Sequence, residues 1–405
     1  MDAVMYQKVP RRDSLLRLHS HDFGPAEEAA VLEVLRSGWL TRGPRTQQFE
    51  LEFAARVAAP HALGLNSCTA ALHLALLCGG VGPGDEVIVP ALTFAATANT
   101  VVHCGATPVF ADVLPDSQCI DPASVERLIN GNTKAIVPVH YGGIACEIPR
   151  LQQLAGQHGL FVSEDCAHAV ETELDGRPVG VASGSRFASY SFYATKNLIT
   201  AEGGMLCCRD EADLERARVI GLHGMSRNAW KRYSGEGFQL YDIEAAGFKY
   251  NMFDIQAALG MVQLAKLNAN HARRTELAAL YASLLADDPR IEIPQAGADS
   301  VHAHHLMVVR LSEDWSGSRV GLSRFEARNT VISALREEMV ESYVHYISLP
   351  GTRFYREQYG TAPSDCPVAQ SVSERVISLP IYPDMQDSDV EYCCLKLREV
   401  LDGVE

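Results

Sequence analysis

SFYATKNLITAEGG, residues 191–204, places Lys196 in a polar, glycine-bearing stretch between two segments that are typical of buried strands. The preceding run RFASYSFY (186–193) alternates and is rich in aromatic residues, and GGMLCC (203–208) follows a turn-like TAE. An ammonium group between two buried strands is costly unless it is paired or used chemically. The stretch therefore allows a structural and a catalytic interpretation of Lys196, and the rest of the chain must decide between them.

The bulk composition indicates a globular protein large enough for two domains. The chain has 405 residues, of which 47% are hydrophobic and 21% charged. It contains no long apolar run and its start has charges throughout, so we expect no membrane span, no signal peptide and a cytoplasmic location. A net charge of −15 disfavours nucleic acid as a partner. The eleven cysteines show no CxxC spacing, so no metal site is predicted.

Alternation of short apolar runs with helical segments indicates the fold class. Strand-like runs such as DEVIVP (85–90) are separated by helices of the length that parallel strands require. The pattern predicts an α/β fold whose large domain, residues 1–265, contains a mostly parallel sheet. A long helical segment beginning at MFDIQAALG (252–260), which we expect to be broken, leads into a smaller α+β domain, residues 266–405.

A polar segment follows the predicted strand ALGL (62–65) and opens a predicted helix. In open α/β sheets, ligands bind beyond the carboxyl ends of the parallel strands, which is where this segment would lie. Its residues NSCT (66–69), with Cys68 and Thr69 at the helix start, could bind an anion such as phosphate through free amides and hydroxyls. An ordinary N-cap is the alternative interpretation of the same residues.

Two further segments would lie at the same edge of the sheet. Asp165 and His168 follow an apolar strand directly, and Ser191 precedes Lys196 by five residues. An aspartate at this place can cap a helix, but it also suits a cationic ring nitrogen, whose proton it holds. A partly desolvated lysine near an aspartate and a phosphate pocket fits a Schiff base with pyridoxal phosphate (PLP). Together the three segments favour the catalytic interpretation of Lys196.

The same segments resemble those of the DegT/StrS family of PLP-dependent nucleotide-sugar aminotransferases, whose members have the type I (aspartate-aminotransferase) fold. The matching motifs follow in family order along nearly the whole chain: SGWLTRGPRTQQFE (37–50), NSCTAALHLALL (66–77), EDCAHA (164–169), SFYATKNLITAEGG (191–204), HGMSRNAWKRY (223–233) and GFKYNMFDIQAALGMVQL (247–264). So many ordered motifs make chance similarity implausible. The resemblance implies a type I α/β fold, a PLP cofactor and transaminase activity.

The resemblance also implies roles for individual residues at the cofactor. Lys196 would bind the cofactor aldehyde and, once released, move a proton between substrate carbon and cofactor carbon. Asp165 would pair with the pyridine nitrogen, His168 would lie near the ring hydroxyl, and Phe94 in LTFAAT would stack on the ring face. The remaining matches are the implied phosphate contacts Cys68, Thr69 and Ser191.

Other matching positions concern the second subunit and the substrate. Asn251 in KYNMFD matches an asparagine that reaches the phosphate of the neighbouring subunit, which implies an obligate homodimer with shared active sites. Ala201 stands where relatives usually have glycine, which we expect to be a mild change. Four residues match positions near the substrate: Thr41, Tyr193, His223 and His345.

The implied reaction moves an amino group from L-glutamate, or glutamine, to the ketone of a nucleotide-linked sugar. DCAHAVETE and HGMSRNAWKRYSGEG are most similar to members that act at C4 of 4-keto-6-deoxy sugars, in the biosynthesis of amino sugars, polysaccharides or natural products. HYISLPGTRFY (345–355) departs from the family pattern, so a keto-cyclitol or another non-sugar ketone stays open as the acceptor. A non-catalytic PLP-binding regulatory protein also stays open, although the presence of Lys196 and Asp165 argues against it.

Overall fold

The computed structural model describes residues 10–226, 241–315 and 321–404, so most of the HGMSRNAWKRY motif lies outside the described residues. The helices are α1 (Pro25–Ser37), α2 (Pro44–Arg56), α3 (Cys68–Cys78), α4 (Ala95–His103), α5 (Pro122–Leu128), α6 (Ile148–His158), α7 (Glu211–Gly221), α8 (Asp254–Leu285), α9 (Arg324–Glu337), α10 (Arg353–Tyr359), α11 (Pro367–Arg375) and α12 (Asp387–Val404). The strands are β1 (His61–Leu65), β2 (Glu86–Pro90), β3 (Thr107–Ala111), β4 (Thr133–Ile136), β5 (Phe161–Asp165), β6 (Glu173–Leu174), β7 (Arg177–Pro178), β8 (Phe187–Ser191), β9 (Gly204–Cys208), β10 (Ile291–Glu292), β11 (Ser300–Val301), β12 (Met307–Leu311) and β13 (Val376–Leu379).

The central sheet has seven strands in the order β1-β9-β8-β5-β4-β2-β3. The pairs from β8 through β3 are parallel, whereas β9 is antiparallel to both β8 and β1. The predicted α/β fold with a mostly parallel sheet is therefore confirmed. Because the β8–β9 connection returns the chain at the carboxyl end of β8, it carries Lys196 to the edge of the sheet where ligands bind.

Helix α3 is almost completely buried, because its sequence CTAALHLALLC is apolar on every side. It packs against β8, β9 and the neighbouring helices α4 and α7. The side chain of Ser67 accepts a hydrogen bond from the Ala70 amide at 3.1 Å and caps the helix. This cap fixes the helix N-terminus, and with it Cys68 and Thr69, at the carboxyl end of the sheet.

Helix α8 is a single helix of 32 residues, so the expected break in the long helical segment is wrong. Its N-terminal half buries Ala257 and Leu267 in a hydrophobic cluster with α2 and β9, and its C-terminal half buries Leu277 and Tyr281 in a second cluster. Burial against two cores in succession stabilises a helix of this length without a kink. We propose that α8 links the two predicted domains, whose boundary at residue 265 falls inside it.

The second hydrophobic cluster is built on the three-stranded sheet β10-β12-β13 and on helices α9 and α12. The N-terminal segment joins it, because Leu16 is buried there and its amide donates to the Met339 carbonyl at 2.8 Å. The Glu341 amide donates in turn to the Leu16 carbonyl at 2.9 Å. Residues around Leu16 and Glu341 therefore belong with the C-terminal part of the chain.

Among the described residues, no helix is long and apolar enough to cross a membrane.

Ala201, in the β8–β9 connection, has a φ of 67°, in the left-handed region that favours glycine. Replacing it with glycine is expected to stabilise the protein by up to about 1 kcal/mol, because the Cβ strain is removed. Ala282→Gly, at an exposed position inside α8, should instead destabilise it by about 1 kcal/mol. Chemical denaturation of both variants measures the difference, and a lower stability of Ala201→Gly would contradict the strain argument.

Candidate active site

A cavity of about 480 Å³ opens at the carboxyl ends of the parallel strands and extends to the C-terminal unit. Its size is within the range of small-molecule sites. The sequence-predicted residues that line it are Cys68, Thr69, Phe94, Asp165, His168, Ser191, Tyr193, Lys196 and His345. Residues from five separate segments of the chain are thus brought together at one site.

Three sequence-predicted residues do not line this cavity. Thr41 and His223 are exposed elsewhere on the surface. Asn251 pairs with Leu65 at the end of β1, and its Oδ1 accepts a hydrogen bond from Lys249 Nζ at 2.5 Å. Within one chain, the cavity that contains Lys196 is therefore not lined by any of the three.

Lys196 lies in the tight connection after β8, where its amide donates to the Tyr193 carbonyl at 2.9 Å. Burial lowers the pKa of its amine to about 8, against the opposing effects of Cys68 and Asp165. Its Nζ is 3.4 Å from Nε2 of His305, a residue that the sequence did not single out. An amine with this pKa is partly neutral near pH 7, which is the form that attacks a carbonyl group.

Asp165 is the last residue of β5 and is buried. Its Oδ2 accepts a hydrogen bond from Thr97 Oγ1 at 2.8 Å, and its Oδ1 accepts one from the Ala167 amide at 3.1 Å. Burial raises the pKa of this carboxyl group, and the two hydrogen bonds oppose that rise. Thr97 was not predicted, although its place in the first turn of α4, three residues after Phe94, is a signal that could have revealed it.

His168 is buried and makes hydrogen bonds at both ring nitrogens. The Gly142 amide donates to Nδ1 at 3.2 Å, so the proton of the neutral ring is on Nε2, which is 3.0 Å from the Tyr346 hydroxyl oxygen. Burial lowers the pKa of His168 well below its usual value, so the ring stays neutral. Because Tyr346 accepts from His168, its own hydroxyl hydrogen is free to be donated into the cavity.

The start of α3 and the end of β8 form a concave polar surface. Ser67, Cys68 and Thr69 surround the helix N-terminus, and Ser191 faces it from the end of β8. A Cβ on Gly204 would lie 2.4 Å from the Cys68 backbone nitrogen, so glycine is needed for the close approach of β9 to the helix start. Helix amides with adjacent hydroxyls are a binding site for a phosphate group.

These groups fit pyridoxal phosphate. The α3 N-terminus could hold the phosphate, the buried carboxylate of Asp165 could hold a protonated ring nitrogen, and Phe94, which is exposed in the cavity, could cover a ring face. Lys196 would then lie within reach of the aldehyde carbon. The groups present thus match the phosphate, the ring nitrogen and the aldehyde of the cofactor.

Comparison with solved structures identifies the class of proteins that shares this fold. The putative sugar aminotransferase Spr1654 from Streptococcus pneumoniae, solved in its PLP-form, has a TM-score of 0.88 at 31% identity, with 96% of this chain and 100% of that chain covered. DesI, solved in the presence of its TDP-sugar product, has a TM-score of 0.84 at 28% identity, over 97% of this chain and 94% of that one. The fold is therefore that of the type I PLP-dependent aminotransferases.

The sequence comparisons specify the family. The spore coat polysaccharide biosynthesis protein SpsC of Bacillus subtilis is 44% identical over 398 residues, covering 98% of this chain and 100% of SpsC. The model of the DegT/DnrJ/EryC1/StrS aminotransferase family matches residues 22–398. The chain belongs to this family, it is a PLP-dependent aminotransferase, and the resemblance inferred from its motifs is confirmed.

Proposed function

We propose that the protein transfers an amino group from L-glutamate, or glutamine, to the ketone of a nucleotide-linked sugar, at C4 of a 4-keto-6-deoxy sugar. The observation that carries the proposal is the cavity that Lys196 and Asp165 line together. The relatives support the acceptor class, since DesI is described with a TDP-sugar product and SpsC by its part in polysaccharide biosynthesis.

The proposed chemistry assigns a task to each group at the base of the cavity. PLP, when bound, supplies an electron sink that stabilises negative charge at the substrate carbon. Lys196 Nζ, with its lowered pKa, binds the aldehyde and afterwards takes and returns a proton. The Asp165 carboxylate holds the proton of the ring nitrogen, and Thr97 and the Ala167 amide keep that carboxylate in position. Cys68, Thr69 and Ser191 bind the phosphate.

The outer part of the cavity suits a deoxygenated sugar. His345 Nδ1 lies 2.8 Å from Ser378 Oγ, and burial lowers the pKa of His345 to about 4, so a neutral imidazole faces the opening. A neutral imidazole can exchange hydrogen bonds with sugar hydroxyls without favouring an anion. Leu18, Leu379 and Ile381 line the same region and offer an apolar surface to a 6-deoxy methyl group. Tyr193 is a further proposed contact.

A substrate panel tests the proposed reaction. The purified protein is loaded with PLP and incubated with glutamate or glutamine and a series of nucleotide-linked keto sugars, together with a keto-cyclitol. We expect an aminated sugar product by mass spectrometry, with 4-keto-6-deoxy sugars converted fastest. Amination of the keto-cyclitol alone would overturn the sugar assignment and favour the second acceptor class.

We further propose that the protein acts as a homodimer in which Asn251 reaches the cofactor phosphate of the partner subunit. The position of Asn251 outside its own cavity supports this arrangement. Phe253, two residues after Asn251, exposes 39% of its surface. Asn251→Ala would then weaken PLP retention through the loss of a hydrogen bond to a charged group, about 1.5–3 kcal/mol.

Mixing two inactive variants tests the shared site. In a heterodimer of Lys196→Ala and Asn251→Asp subunits, one site carries both substitutions and the other carries neither. We expect up to half the activity of a wild-type dimer for each heterodimer, measured after subunit exchange has been demonstrated by mass. Complete exchange without any recovered activity would contradict the shared-site proposal.

A further inference from the structure

A chain of partly buried hydrogen bonds leads away from the amine of Lys196. Glu171, in the loop after β5, is buried, and both of its carboxylate oxygens accept from the Asn197 side-chain amide, at 3.0 and 3.1 Å. The same amide nitrogen donates to the Ala303 carbonyl at 2.9 Å. Asn197 Oδ1 then lies 3.2 Å from Nδ1 of His305, whose Nε2 is the atom beside Lys196 Nζ.

The partners of Asn197 determine which way its amide points. The reversed amide would set Oδ1 against the Glu171 carboxylate and the Ala303 carbonyl, both of which are only acceptors. The oxygen of the amide must therefore face His305. Because this oxygen can only accept, Nδ1 of His305 must carry the hydrogen of the neutral ring. The lone pair of the imidazole is then on Nε2 and points at Lys196.

The charge state of the pair follows from its surroundings. Burial, together with the charge of Lys196, lowers the pKa of His305 well below its usual value, so the lysine and not the histidine is protonated. Burial raises the pKa of the Glu171 carboxyl group, and the charge of Arg274 and the hydrogen bond from Asn197 oppose that rise. The other groups whose charges act on Lys196 or His305 are Cys68, Asp165, His168 and His345.

We propose that Glu171, Asn197 and His305 form a positioning relay for Lys196. The carboxylate fixes the amide, the amide fixes the imidazole tautomer, and Nε2 of His305 accepts a hydrogen bond from Nζ of Lys196. The relay holds the amine of Lys196 in place when that amine is not bonded to the cofactor. In that state the amine must carry a proton. The inference rests on the proposed role of Lys196 and adds the groups that control it.

Chemical labelling of Lys196 tests the relay without any turnover. The full-length, cofactor-free protein is acetylated briefly with acetic anhydride at a series of pH values, and the extent of modification at Lys196 is read by peptide mass spectrometry. In the wild type, half-maximal reactivity is expected near pH 8. In the His305→Leu variant, the pH of half-maximal reactivity should be lower by about one unit, because the buried ammonium group loses its acceptor.

Companion variants separate the relay from a general effect on packing. His305→Gln, whose side-chain oxygen can still accept from Nζ, should restore the wild-type profile. Asn197→Leu does not remove a group that touches Nζ, but it removes the acceptor that fixes the hydrogen of His305 on Nδ1. It should therefore shift the profile in the same direction as His305→Leu. His304→Gln alters a half-buried neighbour that does not line the cavity and should leave the profile unchanged. Thermal unfolding verifies that each variant is folded.

Two results of the labelling experiment would overturn the proposal. If the profile of His305→Leu coincides with that of the wild type, Nε2 of His305 does not act on Lys196. If only Asn197→Leu coincides with the wild type, the relay is wrong. Should the leucine variant not fold, His305→Asn, which keeps a donor toward Asn197 but does not reach Nζ, replaces it. Activity of Lys196→Ala would instead refute the proposed role of the lysine, whatever the labelling profiles show.

Discussion

Replacing Lys196 with alanine is expected to lower kcat for transamination at least about a thousandfold, because both the aldehyde-binding amine and the proton carrier are removed. The fold should persist, since the side chain lines a cavity, where its amine lies beside Nε2 of His305, and it belongs to none of the hydrophobic clusters. PLP should still bind non-covalently, because the α3 N-terminus and Asp165 are unchanged. Turnover and the visible absorption band of the bound cofactor are the two measurements.

Lys134→Ala is the matched control for this variant. Lys134 lies in β4 of the same sheet, but its side chain is exposed and outside the cavity. Its replacement should leave both turnover and the absorption spectrum as in the wild type. Full turnover by Lys196→Ala would show that another group performs the proton transfer and would refute the assignment.

Asp165→Asn is expected to lower kcat at least about a hundredfold, because a neutral amide cannot hold the ring nitrogen in its protonated form. The local structure can accommodate the change. The amide oxygen can accept from the Ala167 amide, while the amide nitrogen donates to Thr97 Oγ1, which is able to reverse its hydrogen bond. A loss of activity without a loss of stability is therefore expected.

Asp287→Asn, an exposed substitution of the same kind at the end of α8, provides the comparison. It should change neither turnover nor the denaturation midpoint. Thr97→Val removes one of the two hydrogen bonds to the carboxylate but keeps its charge, so its kcat should lie between those of Asp165→Asn and the wild type. If Asp165→Asn turned over at nearly the wild-type rate, a different group would have to face the ring nitrogen.

The sequence allowed prediction of those parts of the site that depend on local order along the chain. Asp165 ends β5, Lys196 follows the end of β8 by five residues, and the α3 N-terminus follows β1. The carboxyl edge of the sheet therefore brings them together. Tyr346 and His305 were not predicted, because they reach the cavity from loops in distant parts of the chain. Glu171 was not predicted, because it contacts Asn197 and does not line the cavity itself. Their positions depend on tertiary packing, which a single sequence does not display.

Two differences between sequence and structure have local physical causes. The length of α8 suggested a break, but burial of its two halves in successive cores keeps it continuous. The alanine at position 201 suggested a mild departure from the family pattern, yet its backbone is left-handed. In both cases tertiary contacts override the preference of the local sequence.

Hydrogen bonds between Leu16 and the chain around Val340 attach the N-terminal segment to the C-terminal part of the chain. We propose that this attachment separates a catalytic part of the protein from a part that selects the acceptor. The strand ends and α3 would perform the chemistry. Four further residues that line the cavity, Leu18, His19, Glu341 and Tyr343, adjoin Leu16 and Val340, which are buried in the second hydrophobic cluster. A descendant of this protein could therefore acquire a new acceptor through substitutions in the acceptor-selecting part alone. Its reaction centre would be inherited intact.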